Sequence, residues 1–299
     1  MAEVMNPERN GSFEAGGSSQ PYQLDKRSLR SYFQRCARRY DRNARVAGEL
    51  GARLLEHLEP VRIEPKRVLD LGAGTGELAR SLSRRYRKSR VLALDLSESM
   101  LAVARAKRRR LLSRQQFVCG DGEKLPLRSG CVELVLSNAT LQCCTQPDAV
   151  FAEVLRVLAP GGLFLFSTLG PDTLIELKEC FALVDDEPHV HTFMDMHDLG
   201  DVLVRTGFAD VVMDSARLTA EYRGVEELLR ELKHTGASNA HRHRRRGLTA
   251  RAKLERVVRA YEERRRNGLL PATFEAVFAH AWKPAAGDSA GVDVAPPHR

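Results

Sequence analysis

Long apolar runs are missing from this chain of 299 residues, and no stretch reaches the roughly 18 apolar residues of a membrane-spanning helix. Residues 1–21 also lack the apolar stretch of a secretory signal. We therefore expect a cytoplasmic protein with no membrane partner. Because 43% of the residues are hydrophobic, the chain can still bury a sizeable core.

Cysteine and aromatic residues are also scarce. The six cysteines include no C-x-x-C spacing and are too sparse for a disulfide scaffold, so the sequence predicts reduced, mostly packed thiols. Adjacent Cys143 and Cys144 would be reactive only beside a base, and none is predicted near them. Aromatic residues form 6% of the chain and are not interleaved with the basic runs, which argues against a nucleic-acid partner.

Basic residues exceed acidic ones, giving a net charge of +8. They are concentrated in residues 27–45, 105–114 and 241–246. Such runs are either solvated faces or the footprint of an acidic partner, and composition does not decide between the two.

The patterns along the chain predict a single domain, residues 23–284. We expect a disordered leader at 1–22, which is rich in Gly, Ser, Glu and Asn, and a disordered tail at 285–299. Apolar residues recur at helical spacing from Asp25 to about Leu58, which predicts an N-terminal helix.

Five short apolar runs then alternate with amphipathic helical stretches: RVLDLG, RVLALDL, QQFVC, VELVLSN and GGLFLFSTL. This alternation predicts an α/β fold, a mostly parallel, Rossmann-like sheet with helices on both faces. Two later strands, FADVVMDSARLTAEY and TFEAVFAHAW, bring the sheet to seven, and residues 219–270 between them are predicted to form a helical insertion suited to covering a substrate. Ligands of such sheets bind at the carboxyl ends of the strands.

VLDLGAGTGELA, residues 68–79, places a glycine loop between a strand and a helix start. Gly72, Gly74 and Gly76 fall at every second position, unlike the G-x-G-x-x-G spacing of dinucleotide sites. The loop resembles the first motif of class I methyltransferases that use S-adenosylmethionine as cofactor. Asp95 ends the second strand, where a carboxylate can accept hydrogen bonds from both ribose hydroxyls.

Polar residues after the third and fourth strands extend this resemblance. Asp121 stands at the position where members of this class bind the adenine amino group of the cofactor. Taken alone, Asp121 could equally be an ordinary carboxylate in a turn. Gly122 would let the chain pass close to the ring, while Ser137 and Asn138 would form the floor of the pocket. The predicted cofactor residues are Asp70, Gly72, Ala73, Gly74, Gly76, Asp95, Leu96, Met100, Asp121, Gly122, Ser137 and Asn138.

Beyond the cofactor half, residues 26–284 resemble the BioC family, the malonyl-[acyl-carrier protein] O-methyltransferases of biotin synthesis. The segments that carry this resemblance are SNATLQCC, STLGPDTLIELKE, FMDMHDLGDVLVRTGFAD, LKHTGASNAHRHRRRGLTARAKL and PATFEAVFAHAWKP. Cys143 departs from the family, which usually has tryptophan there. The resemblance implies methyl transfer to the free carboxyl of malonyl-acyl carrier protein, an acidic protein, which primes pimelate synthesis for biotin. The sequence alone does not decide between a carrier protein and coenzyme A as the malonyl donor. We expect a monomer.

Such a reaction needs no general base, because a carboxyl group with a pKa of roughly 4 is ionised at neutral pH. We expect hydrogen-bond donors that orient the carboxylate, and an arginine partner that the sequence does not single out. Tyr40 is the first candidate, since the N-terminal helix of the family folds over the cofactor pocket, and Gln142 and Tyr222 are further candidates. Each could instead be an ordinary packing or helix-start residue.

Other functions stay open from the sequence alone. The segments GPDTLIEL, RTGF and PATFEA are also similar to complex I assembly factors that hydroxylate an arginine and are methyltransferase-like. Another small-molecule methyltransferase is a further alternative, and an RNA methyltransferase is suggested only by the charge.

HTFMDMHDLGD, residues 191–201, has the composition of a metal site or an acid/base cluster. A helix start explains most of it, with Asp195 as N-cap, Asp198 as capping-box acid and Gly207 as C-cap. We therefore expect no metal, although His191 could still line the mouth of the pocket.

Overall fold

The computed structural model describes residues 25–108, 113–185, 189–190, 192–235 and 251–285. The leader expected at 1–22, the expected tail beyond residue 285, His191 and the basic run 241–246 lie outside the described residues. Expectations about these parts of the chain stay predictions.

The centre of the fold is a seven-stranded sheet made of β1 (Arg67–Leu71), β2 (Arg90–Asp95), β3 (Gln115–Cys119), β4 (Val132–Asn138), β5 (Leu158–Leu169), β6 (Ala209–Tyr222) and β7 (Leu270–Trp282). The strands lie in the order β3-β2-β1-β4-β5-β7-β6. Neighbours are parallel except for β7, which is antiparallel to both β5 and β6. The predicted mostly parallel α/β sheet is confirmed.

The described helices are α1 (Lys26–Cys36), α2 (Tyr40–Asn43), α3 (Arg45–His57), α4 (Glu77–Arg85), α5 (Glu98–Lys107), α6 (Pro147–Val157), α7 (Ile175–Ala182), α8 (Met196–Thr206), α9 (Val225–Thr235) and α10 (Arg251–Glu262). Strand residues alternate between two apolar cores, one on each face of the sheet. In β5, Leu163 and Leu165 share a core with α3 and α4, whereas Phe164 and Phe166 share the other with α6 and α8.

The helix expected from Asp25 to about Leu58 is broken into α1, α2 and α3. The backbone leaves the helical region at Ala44, which has φ −94° and ψ 47°. Long-range contacts flank this break: Asp41 accepts a hydrogen bond from Thr75 in the glycine loop, and the next helix begins with Arg45, which binds Glu231 of α9. Apolar periodicity is a local signal and carries no information about these partners.

The helical insertion is shorter than the predicted range of 219–270. β6 continues through Tyr222 because its last residues pair with β7, as in the pair Ala220 and Ala272, and β7 begins at Leu270. Between these strands, α9 packs against α1 and α2, so the insertion and the N-terminal segment meet.

The acidic stretch before α8 forms the predicted helix start. The carboxylate of Asp195 accepts a hydrogen bond from the N–H of His197 at 2.8 Å, and Gly207 ends the helix with φ 102°. In the described ranges, no group of three or more His, Cys, Asp or Glu side chains is arranged to hold a metal ion. None of the helices in those ranges has the length and apolar character required to cross a bilayer.

Candidate active site

The glycine loop joins β1 to α4 at the carboxyl edge of the sheet. Gly72 has φ +75°, and a Cβ at this position would lie 2.0 Å from Thr140 Oγ1, so only glycine fits. The N–H groups of Gly72 and Ala73 donate to the carbonyl of Leu94 at 2.8 and 2.9 Å. Gly74 has no neighbour within 4 Å on its Cβ side, so the loop leaves room for a ligand.

Asp95, the last residue of β2, presents an oriented carboxylate to the cavity beside this loop. One oxygen accepts from the N–H of Gly74 at 2.8 Å and the other from the N–H of Ser97 at 2.7 Å. Burial raises the pKa of this carboxyl, and the two backbone hydrogen bonds oppose the rise. Each oxygen keeps acceptor capacity, and Leu96 and Met100 line the cavity with it.

Asp70, in β1 just before the glycine loop, is 1% exposed. Its Oδ2 has no hydrogen-bond partner among the described residues, and burial raises its pKa to about 7. A buried acceptor without a donor is unfavourable, so this position suits a ligand that brings one. The side chain lines a cavity of about 330 Å³ together with Ala73, Gly74 and Thr75, and this cavity therefore fits a ligand with an ammonium group.

The loop after β3 and helix α1 form further walls of the cavity that Asp95 lines. Asp121 and Gly122 belong to these walls, and Asp121 Oδ2 lies 2.6 Å from Nζ of Lys26. Leu29 and Phe33 of α1 line the same cavity. The N-terminal segment thus covers the pocket, as the family resemblance implied.

Two predicted cofactor residues, Gly76 and Ser137, are not among the described residues that line these cavities. Gly76 caps α4 with φ 81°, and the buried hydroxyl of Ser137 donates to the carbonyl of Leu71 at 3.0 Å. Asn138 lines the cavity, but its amide also donates to the carbonyl of Ala47 at 2.9 Å and so ties α3 to the sheet. The other predicted cofactor residues line the cavities: Asp70, Gly72, Ala73, Gly74, Asp95, Leu96, Met100, Asp121 and Gly122.

The cavities beside Asp95 and beside Asp70 share Gly72, Gly74 and Asn138, and together they form the predicted cofactor cavity. A second cavity adjoins it, and shares the wall residues Phe33, Tyr40, Ala139 and Cys143 with the part beside Asp95. Its remaining walls are mostly apolar, and include Leu50, Leu169, Phe193, Leu232 and Phe274. Gln142 is one of its polar residues. The hydroxyl of Thr168 donates to Gln142 Oε1 at 3.1 Å, which leaves the amide NH2 group available to an anionic ligand.

Tyr40 lies where the two cavities meet. Burial raises the pKa of its phenol, and the nearby Cys143 and Asp95 add to the rise, so the hydroxyl remains a donor at neutral pH. Burial also raises the pKa of Cys143 to about 12, with a contribution from Asp95, and raises that of Cys144 well above its ordinary value. Both side chains are therefore protonated thiols and not reactive thiolates.

Tyr222, the third candidate for orienting the substrate, lies behind the second cavity. It is 1% exposed, its ring supports the guanidinium of Arg45 at 4.9 Å, and it is not among the described residues that line the cavity. Arg45 donates to Glu231 Oε2 at 3.2 and 3.0 Å, and Glu231 does line the cavity. Among the described contacts, this ion pair connects Tyr222 to the cavity wall.

Sequence reasoning missed Lys26, Phe33 and Glu231 among the lining residues. The spacing of Leu29 and Phe33 on one helical face is a signal that could have identified the covering surface. No local pattern marks Lys26 or Glu231, since each is placed by a partner far away in the chain.

Comparison with known proteins defines the class. Residues 69–166 match the family described as methyltransferase domain. The fold is similar to the YcgJ protein of Bacillus subtilis, with TM-score 0.57 and 17% identity over 80% of this chain and the whole of that one. It is also similar to phosphoethanolamine N-methyltransferase 2 of Haemonchus contortus, with TM-score 0.50 and 19% identity over 78% of this chain and 52% of that one. The protein is a class I methyltransferase with S-adenosylmethionine as methyl donor.

Close relatives define the family. The chain is 46% identical to a malonyl-[acyl-carrier protein] O-methyltransferase of Laribacter hongkongensis, over 90% of this chain and 93% of that protein. It is 43% identical to a protein of the same name from Gallionella capsiferriformans, over 88% of this chain and 92% of that one. The chain belongs to the malonyl-[acyl-carrier protein] O-methyltransferase family, which confirms the resemblance found in the sequence.

Proposed function

We propose that this enzyme transfers a methyl group from S-adenosylmethionine to the free carboxyl of malonyl-acyl carrier protein, and that the ester primes pimelate synthesis for biotin. The names of the relatives support this substrate. The observation that carries the proposal is the second cavity, which meets the cofactor cavity at Tyr40. Its walls are mostly apolar, with Tyr40 and Gln142 as uncharged donors and with one carboxylate, Glu231, that is paired with Arg45.

The composition of the cavity fits attack by a carboxylate. S-adenosylmethionine, when bound, supplies an electrophilic methyl group on a sulfonium. A carboxylate is ionised at neutral pH, so the site needs donors that align it and no base. The Tyr40 hydroxyl and the Gln142 amide are such donors, and alignment of reactants can supply about 7 to 11 kcal/mol of a rate enhancement. Apolar walls such as Leu169 and Phe274 exclude water, which favours a step that neutralises charge.

The cofactor residues have distinct proposed roles. Asp70 Oδ2, which has no protein hydrogen-bond partner among the described residues, suits the ammonium group of S-adenosylmethionine. The carboxylate of Asp95, oriented by two backbone N–H groups, suits the ribose hydroxyls. Asp121 suits the adenine amino group, with Gly122, Leu96 and Met100 around the ring. These assignments rest on which side chains line the cavity and on their free acceptor capacity.

The exposed surface around the second cavity suits an acidic carrier protein. Arg38, Arg39 and Arg42 flank Tyr40 on the covering segment and are exposed, as are Arg230 and Lys233 on the neighbouring α9. Cations at the mouth of a pocket attract and orient an acidic partner. This arrangement supports the interpretation of basic residues 27–45 as a binding surface for an acidic partner, over the alternative of a solvated face.

The test is transfer of labelled methyl from S-adenosylmethionine to malonyl-, succinyl- and acetyl-acyl carrier protein. We expect methyl ester on the malonyl carrier, less on the succinyl carrier and none on the acetyl carrier. Equal labelling of malonyl and succinyl carriers would contradict the substrate assignment. Cofactor binding without transfer to any carrier would favour the assembly-factor alternative.

A further inference from the structure

We infer that Lys26 is a positioning residue of the cofactor site, which binds Asp121 and Glu123 together and thereby holds α1 across the cavity and slows cofactor release. The inference depends on the cofactor class and not on the proposed malonyl substrate.

The contact geometry is that of a three-residue ionic bridge. Nζ of Lys26 lies 2.6 Å from Asp121 Oδ2 and 2.6 Å from Glu123 Oε2. The side chains of Lys26, Asp121 and Glu123 are 31%, 37% and 11% exposed, so water screens the bridge only in part. Partial burial alone would lower the pKa of Lys26, but the hydrogen bonds to the two carboxylates raise it above its ordinary value.

Glu123 gives the bridge a fixed anchor. Its Oε1 also accepts from the N–H and hydroxyl of Thr145 at 2.6 and 2.7 Å and from the N–H of Gln146 at 3.2 Å. The N–H of Glu123 in turn donates to Asp121 Oδ1 at 3.0 Å. Lys26 therefore attaches α1 to a carboxylate that is bound to the segment before α6, and it holds Asp121 in one orientation.

Apart from the bridge, α1 packs against α5 and α9, and neither of the two main cores includes a residue of this helix. Its buried residues are Leu29 and Cys36, which belong to two small apolar clusters separate from the two main cores. Leu29 also lines the cofactor cavity, so part of its surroundings depends on what fills that cavity. The covering segment is held at its other end by Asp41, which accepts from Thr75 at 2.5 Å and pairs with Lys107.

The position of Lys26 within α1 also indicates a tertiary role. It is the first residue of the helix, directly after the N-cap Asp25. A cation in the first turn is disfavoured by the partial positive charge of the helix N-terminus. The favourable partners of Lys26 lie outside the helix, in the carboxylates of Asp121 and Glu123.

The test measures release of S-adenosylhomocysteine from the purified enzyme by displacement with excess unlabelled ligand. We expect Lys26→Met to release it about three- to fivefold faster, within the range for loss of a partly exposed ion pair. Lys26→Arg should restore slow release, because the cation remains. Arg30→Met is the matched control, since it removes a charge from an exposed position of the same helix and should leave release within about twofold.

The wild-type enzyme supplies a second measurement that needs no variant. Release should accelerate as KCl is raised, because salt screens the bridge. Unchanged release by a folded Lys26→Met variant, equal acceleration by Arg30→Met, or salt-independent release from the wild type would each overturn the inference. None of these results bears on the malonyl substrate, which methyl transfer by the wild-type enzyme tests separately.

Discussion

The hydroxyl of Thr168 on β5 donates a 3.1 Å hydrogen bond to the side-chain oxygen of Gln142, and so orients an amide at the wall of the second cavity. Because the oxygen is occupied, the NH2 group is the part of Gln142 that a bound carboxylate would meet. The arrangement links a buried strand residue to the proposed recognition of an anion.

Gln142→Glu should lower kcat/KM for the malonyl substrate, since it replaces a donor with a like charge of nearly the same shape. A hydrogen bond to a charged group is worth about 1.5 to 3 kcal/mol, or roughly 10- to 150-fold in kcat/KM. Steady-state kinetics would measure the change. Thr168→Val serves as the control, because it keeps the amide and loses only its orientation, and its effect should be smaller. A fully active Gln142→Glu enzyme would exclude this residue from carboxylate recognition.

Tyr40→Phe should lower kcat/KM by about tenfold while leaving the affinity for S-adenosylhomocysteine nearly unchanged. The phenyl ring of the variant still lines both cavities, and only the hydroxyl hydrogen-bond donor is lost. Calorimetric titration of the cofactor product alongside kinetics separates the two effects. A large loss of cofactor affinity would instead place Tyr40 in the cofactor site alone.

The elements that the sequence predicted well are those with local signals. Apolar runs and the glycine spacing place Gly72 and Asp95 correctly, because each lies at a strand end that the sequence itself defines. Long-range partners were not predictable. Lys26 pairs with Asp121, and Arg45 pairs with Glu231. The two residues of each pair are far apart in the chain, and no periodic pattern in the sequence marks either pair.

Tyr222 was predicted to orient the substrate. Two variants distinguish this orienting role from a role in packing alone. Tyr222→Phe should stay within about twofold of wild-type kcat/KM if the ring mainly supports Arg45. Tyr222→Ala should lower the free energy of unfolding by about 3 to 5 kcal/mol, as expected for truncation of a large buried aromatic side chain. Chemical denaturation measures the second effect. A catalytic defect in the Phe variant with unchanged stability would support the orienting role.

Asp70 should make cofactor affinity depend on pH. In the ligand-free enzyme burial raises its pKa to about 7, so the carboxyl is partly neutral at that pH and binds an ammonium group less well as the pH falls further. Titration of S-adenosylhomocysteine from pH 8.5 to 6 should show weakening across this range. Asp70→Asn should bind it weakly at every pH, and pH-independent binding by the wild type would contradict the proposed contact.

The same shift affects stability with a definite sign. The folded-state pKa of Asp70 exceeds that of an unfolded chain, so the folded state binds more protons between the two values. Its contribution to the free energy of unfolding is therefore largest below the unfolded pKa, near 3.9, and is lost as the pH rises through about 7. At pH 8 without cofactor, Asp70→Asn should melt at a higher temperature than the wild type, and this gain should shrink towards pH 5.

Charge reversal on the covering segment tests the carrier-protein surface. Arg38→Glu with Arg42→Glu should raise KM for malonyl-acyl carrier protein by about tenfold at low salt, because these exposed cations flank Tyr40 at the cavities. The matched control is Arg87→Glu with Lys88→Glu, two exposed residues between α4 and β2 at the opposite edge of the sheet, which should change KM by less than about twofold. A small malonyl thioester should be methylated equally by wild type and both variants, since it makes no contact with the carrier surface. Equal KM increases in the two charge-reversed enzymes would indicate an effect of net charge and exclude a local docking surface.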